Sequence, residues 1–162
     1  MRYNQEMDLN RLIVRNPRAS DIEEIFKWRN DLDTIKYSKT RRGVQQIEHS
    51  NWFYEITSSP NTIIKVAEID KVPVGVIIFS KINDPNNIEI SINIAPESRK
   101  KGVGSNLILL GEMELLKTVN KARIVAVVDS RNKKSLKVFQ KNNYEILRVD
   151  NSHVTLFKKI CR

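Results

Sequence analysis

The densest chemistry in this sequence lies in one short turn, Arg99-Lys100-Lys101-Gly102-Val103-Gly104. Glycines at 102 and 104 let the backbone fold tightly and bring bare amides close to a ligand. Leu107 to Lys117 follows with helical, apolar spacing, so those amides open a helix. There, unpaired N–H groups and the helix dipole attract an anion. Arg99, Lys100 and Lys101 add full positive charges at the same spot. A diphosphate is the natural occupant. The segment contains neither the G-x-x-x-x-G-K-[ST] phosphate loop nor the third glycine of the dinucleotide fingerprint. Taken alone, it also admits a simple basic strand-to-helix turn.

The elements that must hold this turn are legible from periodicity. Ile88-Glu89-Ile90-Ser91-Ile92-Asn93-Ile94 alternates without a break, which predicts a strand with one buried face, ending at Ala95-Pro96. Glu89, Ser91 and Asn93 share the other face. Upstream, Leu9 to Arg15 reads as a strand. Ser20-Asp21-Ile22-Glu23 reads as a capping box, opening a helix to about Asn30. A polar, basic stretch spans Asp31 to Gly43, and a second helix covers Gln45 to Ile56. Thr62–Ile69 and Val74–Ile82 read as a hairpin turning at Asp70-Lys71, with Pro73 at a strand start. Downstream, Ala122 to Val128 is a continuous apolar run, predicting a strand buried on both faces. Asn132 to Lys141 is helical, and strands at Tyr144–Val149 and Val154–Lys158 close the chain. The order β-α-α-β-β-β-α-β-α-β-β predicts an α+β fold, one mixed sheet flanked by about four helices. With 162 residues and no linker, one domain over 1–162 is expected, residues 1–8 being loosely ordered.

Composition narrows the class. No apolar run reaches the roughly 18–20 residues that span a bilayer, and MRYNQEMDLN has no secretory apolar stretch, so a cytoplasmic location is expected. The lone Cys161 rules out an internal disulfide and a thiolate metal cluster; no metal is expected. A net charge of +9 favours anionic partners: nucleic acid, an anionic membrane, or a phosphorylated small molecule. The basic residues are scattered and carry no nucleic-acid motif, which leaves the small molecule ahead.

Arg99 to Gly104 fits R/Q-x-x-G-x-G/A, and Asn132, Ser135, Phe139, Lys141, Asn143 and Tyr144 follow N-x-x-S-x-x-x-Y-x-K-x-G-F in the expected elements. In these two motifs and in element order the chain resembles the GNAT superfamily of N-acetyltransferases, over roughly residues 10 to 160. The resemblance implies splayed fourth and fifth strands with an acyl-CoA thioester in the gap. It implies that the backbone at Ile92, Asn93 and Ile94 pairs with the pantetheine arm. It also implies that Arg99, Lys100, Lys101, Gly102, Val103, Gly104 and Ser105 hold the pyrophosphate. Asn132, Ser135, Phe139 and Lys141 complete the acetyl-CoA set. Phe139 stands where many relatives place a tyrosine acid, so that proton donor is absent or moved. Asn143 stands for glycine, and asparagine tolerates a left-handed turn.

Aminolysis of a thioester needs a neutral amine, a polarised carbonyl and an outlet for protons. Base candidates are Glu89 and His49, with Asp129 behind them; each also has a plain structural reading. For the acceptor, Trp28-Arg29-Asn30 followed by His49-x-x-Trp52 is similar to the acetyltransferases of pseudaminic acid biosynthesis, which act on nucleotide-linked amino sugars. W-R-N also occurs among ribosomal-protein N-acetyltransferases. Trp28 and Trp52 either cover a sugar face or fill the core, and Arg29, Arg41 and Arg42 are suited to a diphosphate. The expected activity is acetyl transfer to a nucleotide-linked amino sugar within a ternary complex, with a homodimer possible. Protein N-terminal or small-amine acetylation, a non-catalytic acyl-CoA sensor and a nucleic-acid module are the alternatives.

Overall fold

A computed structural model describes residues 7–82 and 87–162. Seven strands form one sheet in the order β1-β2-β3-β4-β5-β7-β6. They are β1 (Ile13–Arg15), β2 (Thr62–Ile69), β3 (Val72–Lys81), β4 (Asn87–Ile94), β5 (Lys121–Asp129), β6 (Glu145–Val149) and β7 (His153–Cys161). The helices are α1 (Ile22–Arg29), α2 (Leu32–Tyr37), α3 (Gln46–Ser58), α4 (Val103–Leu116) and α5 (Lys133–Lys141). The mixed α+β arrangement is the expected one. Neighbouring strands run antiparallel except β4 and β5, which run parallel.

That parallel pair positions the site. Its register stops after Asn87↔Arg123, Ile88↔Ile124 and Glu89↔Val125, while β4 continues to Ile94 and β5 to Asp129. Beyond Glu89 the strands therefore diverge, leaving backbone groups of β4 without a strand partner on that side. The core is divided by the sheet. One cluster, with Ile77, Phe79, Ile88, Ile90, Leu107 and Ile124, joins the sheet to α4 and α5. The second, with Ile25, Trp28, Phe53, Ile64, Val66 and Val76, joins it to α1 and α3. The strand alternation of β4 decides which side each residue serves: Ile88 and Ile90 are buried toward α4, and Glu89, Ser91 and Asn93 project the other way.

The structure corrects four expectations. Leu9–Arg11 is a 3-10 turn rather than strand, capped by Asp8, and Met7 packs on the core; the remainder of the segment expected to be loose lies outside the described residues. Ser20 and Glu23 form no capping box. Asp21 instead accepts from the Arg18 amide at 2.6 Å and from the Arg15 guanidinium at 2.8 Å, because half-buried Arg15 lies between buried Asp21 and Glu68 and draws both carboxylates to it. Within the polar, basic stretch given no element, Leu32–Tyr37 is helical, started by Asp31, whose carboxylate accepts from Thr34 N at 3.2 Å. β5 is buried on one face only. Ala122, Ile124, Ala126 and Val128 are covered, whereas Val127 is 39% exposed, because β5 turns away from β4 on that face.

Pro73 sits beside a register shift between Ala67 and Glu68, where a missing amide costs least. Asn143 takes φ 64° and closes α5 in place of the usual glycine. Among the described residues no helix is long and apolar enough to cross a membrane.

Candidate active site

The glycine turn is built as an open cup. After β4 the chain makes a 3-10 turn at Pro96–Ser98, whose N–H and C=O groups close on Ala95 and Pro96. Lys100 (φ 63°) and Gly102 (φ 84°) are both left-handed. At Gly102 a Cβ would also meet Leu9 Cδ1 at 2.9 Å, so only glycine fits without strain. Helix α4 begins at Val103, and its first closing bond is Asn106 N to Gly102 O at 3.2 Å. The amides of Val103, Gly104 and Ser105 thus precede any intrahelical acceptor, and no side chain caps them. Lys100 and Lys101 are exposed beside them.

Helix α5 closes one side of the cup. Asn142 Nδ2 donates to Ser105 Oγ at 2.9 Å, tying the end of α5 to the first turn of α4. Asn132 caps α5, its Oδ1 accepting from Ser135 N at 3.1 Å. Lys141 is exposed at the helix end. Phe139 is 3% exposed and meets the Tyr144 ring edge-on at 5.1 Å. Tyr144 cannot stand in as the acid. Its hydroxyl donates to buried Glu112 at 2.9 Å, and burial together with that carboxylate pushes its pKa far upward.

On the opposite face of β4 lies a cavity of about 340 Å³. Its floor is apolar, with Ile25 and Trp52 from the helices and Val76 and Ile78 from β3. Register places Asn93 directly across from Val76 and Ser91 across from Ile78, so both polar side chains of β4 join the same wall. Arg29, Arg42, Glu48 and His49 supply the charged and titratable lining. Arg42 is occupied by Glu48, at 2.8 and 3.1 Å. Arg29 is not so satisfied. Nη2 donates to Thr40 Oγ1 at 3.1 Å, but Nη1 is buried and has no hydrogen-bond partner among the described residues. Burial pulls the Arg29 pKa below its ordinary value, with Arg42 adding like-charge repulsion.

His49 is 3% exposed, between the Phe26 and Trp52 rings at 5.4 and 5.1 Å. Its Nε2 lies 3.2 Å from Ile22 O, so Nε2 carries the proton and Nδ1 keeps its lone pair. Burial, opposed by that hydrogen bond, holds the imidazole pKa below 6.5.

Of the sequence-derived acceptor residues, Arg29, His49 and Trp52 meet in this cavity. Trp28 does not. It is 2% exposed in the core, one helical turn from Ile25 on the same apolar stripe. Asn30 is also diverted: its side chain bonds Val44 N at 2.8 Å and Val44 O at 3.2 Å, closing the intervening loop. Glu89 is paired with Lys39 at 2.9 Å at the closed end of the gap. Asp129 is held well below the carboxylate range, chiefly by hydrogen bonds from Arg131, with Arg41 adding to it. It is a fixed anion, poorly suited to take a proton. Arg99 turns away from the cup to Asp31, Thr34 and Ile94 O. Sequence reasoning missed Thr34 and Thr40, because the stretch from Asp31 to Gly43 carries no local signal for the fold-level contacts they make.

The Acetyltransferase (GNAT) domain family matches residues 11–145. Acetyltransferase PseH of Campylobacter jejuni strain 81-176 is 30% identical over 149 residues, covering 89% of this chain and 90% of its own length. The same protein from strain NCTC 11168 is 28% identical over 151 residues. Among solved structures, spermidine N-acetyltransferase from Vibrio cholerae, in complex with CoA and spermine, superposes with a TM-score of 0.80 at 16% identity, covering 93% and 96% of the two chains. The PaiA N-acetyltransferase of Thermoplasma acidophilum, in complex with coenzyme A, gives 0.75 at 19%, covering 92% and 99%. At such identities these structures bear on the fold alone.

Proposed function

Because the chain belongs to the GNAT acetyltransferase family and is an acyl-CoA-dependent N-acetyltransferase, we propose that it acetylates the amino group of a nucleotide-linked amino sugar of the UDP-4-amino-sugar type, in surface-glycan biosynthesis. The observation that carries the acceptor assignment is Arg29, which lines the cavity and whose buried Nη1 has no hydrogen-bond partner among the described residues. A desolvated guanidinium with a free donor is a receptor for an anion such as a diphosphate oxygen. The same charge repels a polyamine. Trp52 and the apolar floor suit a deoxygenated sugar face. The similarity of Trp28-Arg29-Asn30 and His49-x-x-Trp52 to the pseudaminic-acid-pathway enzymes, and the identity to PseH, support the same reading.

In this reading acetyl-CoA lies in the splayed gap, its pyrophosphate on the amides from Lys100 to Ser105 and its pantetheine arm along Ile92 to Ile94. The acceptor amine enters from the cavity on the other side of β4. The two reactants meet edge to edge, and that juxtaposition supplies much of the rate. The amine nitrogen attacks the thioester carbonyl, a C–N bond forms, and the C–S bond breaks to release the thiolate of CoA. His49 Nδ1 takes the proton lost by nitrogen. Among the titratable cavity groups it is the one that is neutral at neutral pH, since Glu48 is held ionised by Arg42.

Thiol release from acetyl-CoA, measured across UDP-amino-sugars, spermidine and basic peptides, tests the assignment. Turnover is expected with the nucleotide-linked sugars; turnover confined to spermidine or peptide overturns it. The pH profile tests His49. Catalysis needs the neutral ring, so kcat/KM falls as pH drops through the His49 pKa, which burial places below 6.5. His49→Asn is expected to lower kcat at least tenfold and to erase that acid limb. An unchanged limb in the variant removes His49 from the role.

A further inference from the structure

A chain of hydrogen bonds that ends at Asn93, in the polar wall of the cavity, points to an acceptor contact not yet assigned. The Arg99 guanidinium donates from Nε to Ile94 O at 3.1 Å, from Nη1 to Asp31 Oδ2 at 2.6 Å and from Nη2 to Thr34 Oγ1 at 3.0 Å. Thr34 Oγ1 in turn lies 3.3 Å from Asn93 Oδ1. A guanidinium donates only; it has no acceptor. The Thr34 hydroxyl therefore accepts from Arg99, and because Asn93 turns Oδ1 toward it, its own proton goes to Asn93. With Oδ1 consumed as acceptor, the orientation of the Asn93 amide is fixed, and Nδ2 is the end left over. No described residue accepts from that Nδ2. Asn93 stands on the cavity wall, cross-strand from Val76, where β4 has already left β5.

We infer that Asn93 determines acceptor specificity by donating from Nδ2 to an oxygen on the carbon next to the amine-bearing carbon. That oxygen is a ring hydroxyl or an amide carbonyl. Asp31, Arg99 and Thr34 act through Asn93 as positioning residues. The inference rests on the amino-sugar reading of the cavity. Its physical content is polarity: the relay runs one way from an obligate donor, so the wall offers a proton and selects a lone pair. A simple alkyl polyamine has no such oxygen beside its amine. Arg99 also opens the glycine turn, so the residue that begins the acyl-CoA loop orients a donor in the acceptor pocket 3.3 Å beyond Thr34.

Thr34→Val removes the hydroxyl at nearly constant volume and leaves the Asn93 amide free to rotate. With an amino sugar that the wild type acetylates, acceptor KM is expected to rise about tenfold while kcat changes less than about twofold, and Thr34→Ser restores the wild-type KM. Asn93→Asp, which presents only acceptors, is expected to raise KM at least about thirtyfold. An analogue lacking the neighbouring oxygen should show no difference between wild type and Thr34→Val. A wild-type KM in Thr34→Val, or an equal loss with that analogue, overturns the proposal. An acceptor-free measurement separates it from the functional reading. The side-chain amide resonance of Asn93, assigned by its loss in Asn93→Asp, should shift in Thr34→Val and return in Thr34→Ser. An unmoved resonance sinks the relay whatever the acceptor; a moved one without turnover of any amino sugar sinks the acceptor reading instead.

Discussion

Gly104→Glu is expected to weaken acetyl-CoA binding at least a hundredfold in a calorimetric titration while the protein stays folded. Gly104 is in the first turn of α4, beside the exposed amides of Val103 and Ser105. A Cβ built there sits 3.5 Å from Val138 Cγ1 and 3.7 Å from Ile94 Cγ1, both ordinary contacts. The new side chain therefore enters the groove between β4 and α5 without a backbone clash. It brings a carboxylate to a helix end that otherwise favours anions. A like charge about 4 Å away costs from roughly 1 kcal/mol in water to roughly 4 near a protein surface. Loss of a hundredfold corresponds to about 2.8 kcal/mol, inside that window. Gly104→Ala is the steric control and is expected to stay within about threefold, since a methyl group adds contact without charge. Gly102 allows no such control. Its φ of 84° and the 2.9 Å approach to Leu9 make any side chain there a strain on the fold itself. Undiminished affinity in Gly104→Glu would mean that the diphosphate binds elsewhere.

Arg29→Met is expected to raise acceptor KM about a hundredfold and to leave the affinity for acetyl-CoA unchanged. A buried donor without a partner costs about 1–3 kcal/mol, and a hydrogen bond to a charged group returns a similar amount. The free protein carries that cost at Nη1, and an anionic acceptor relieves it. Methionine keeps the apolar stem and removes both the cost and the receptor. The variant should therefore melt no lower than wild type, with a gain of about two degrees from the relieved cation. Arg29→Lys should not rescue, because a single ammonium cannot span Thr40 and a second acceptor with the same fork geometry. A variant with a wild-type KM for the nucleotide sugar, or one that loses stability in proportion to activity, would assign Arg29 to the fold and not to the substrate.

Much of this site was legible before folding because its signals are local. The alternation of Ile88 to Ile94 separates two faces of a strand within seven residues. Gly102 and Gly104 announce a turn that only backbone can make, and the helix after it follows from spacing. Asn143 was acceptable at a glycine position because its backbone preference is intrinsic, and it adopts φ 64°. Trp28 and Arg29 show where locality ends. They are adjacent, and both types can bind a nucleotide sugar. Which one faces the cavity depends on the helix stripe that α1 presents to α3 and the sheet, and the stripe through Ile25 takes Trp28 inward.

The sequence alone determined the strand, the glycine cup and the order of elements, because periodicity, turn chemistry and helix-end electrostatics act over a few residues. Tertiary structure decided how the charges were used. Arg99 is one of three cations at the turn, but it is drawn to Asp31, 68 positions away, and Arg41 reaches Asp129 across 88 positions. It also decided where β4 and β5 part, after Glu89↔Val125, and hence where the two pockets meet. Ion pairs and strand divergence depend on which distant segments the packed core brings together, and no spacing along the chain encodes that distance.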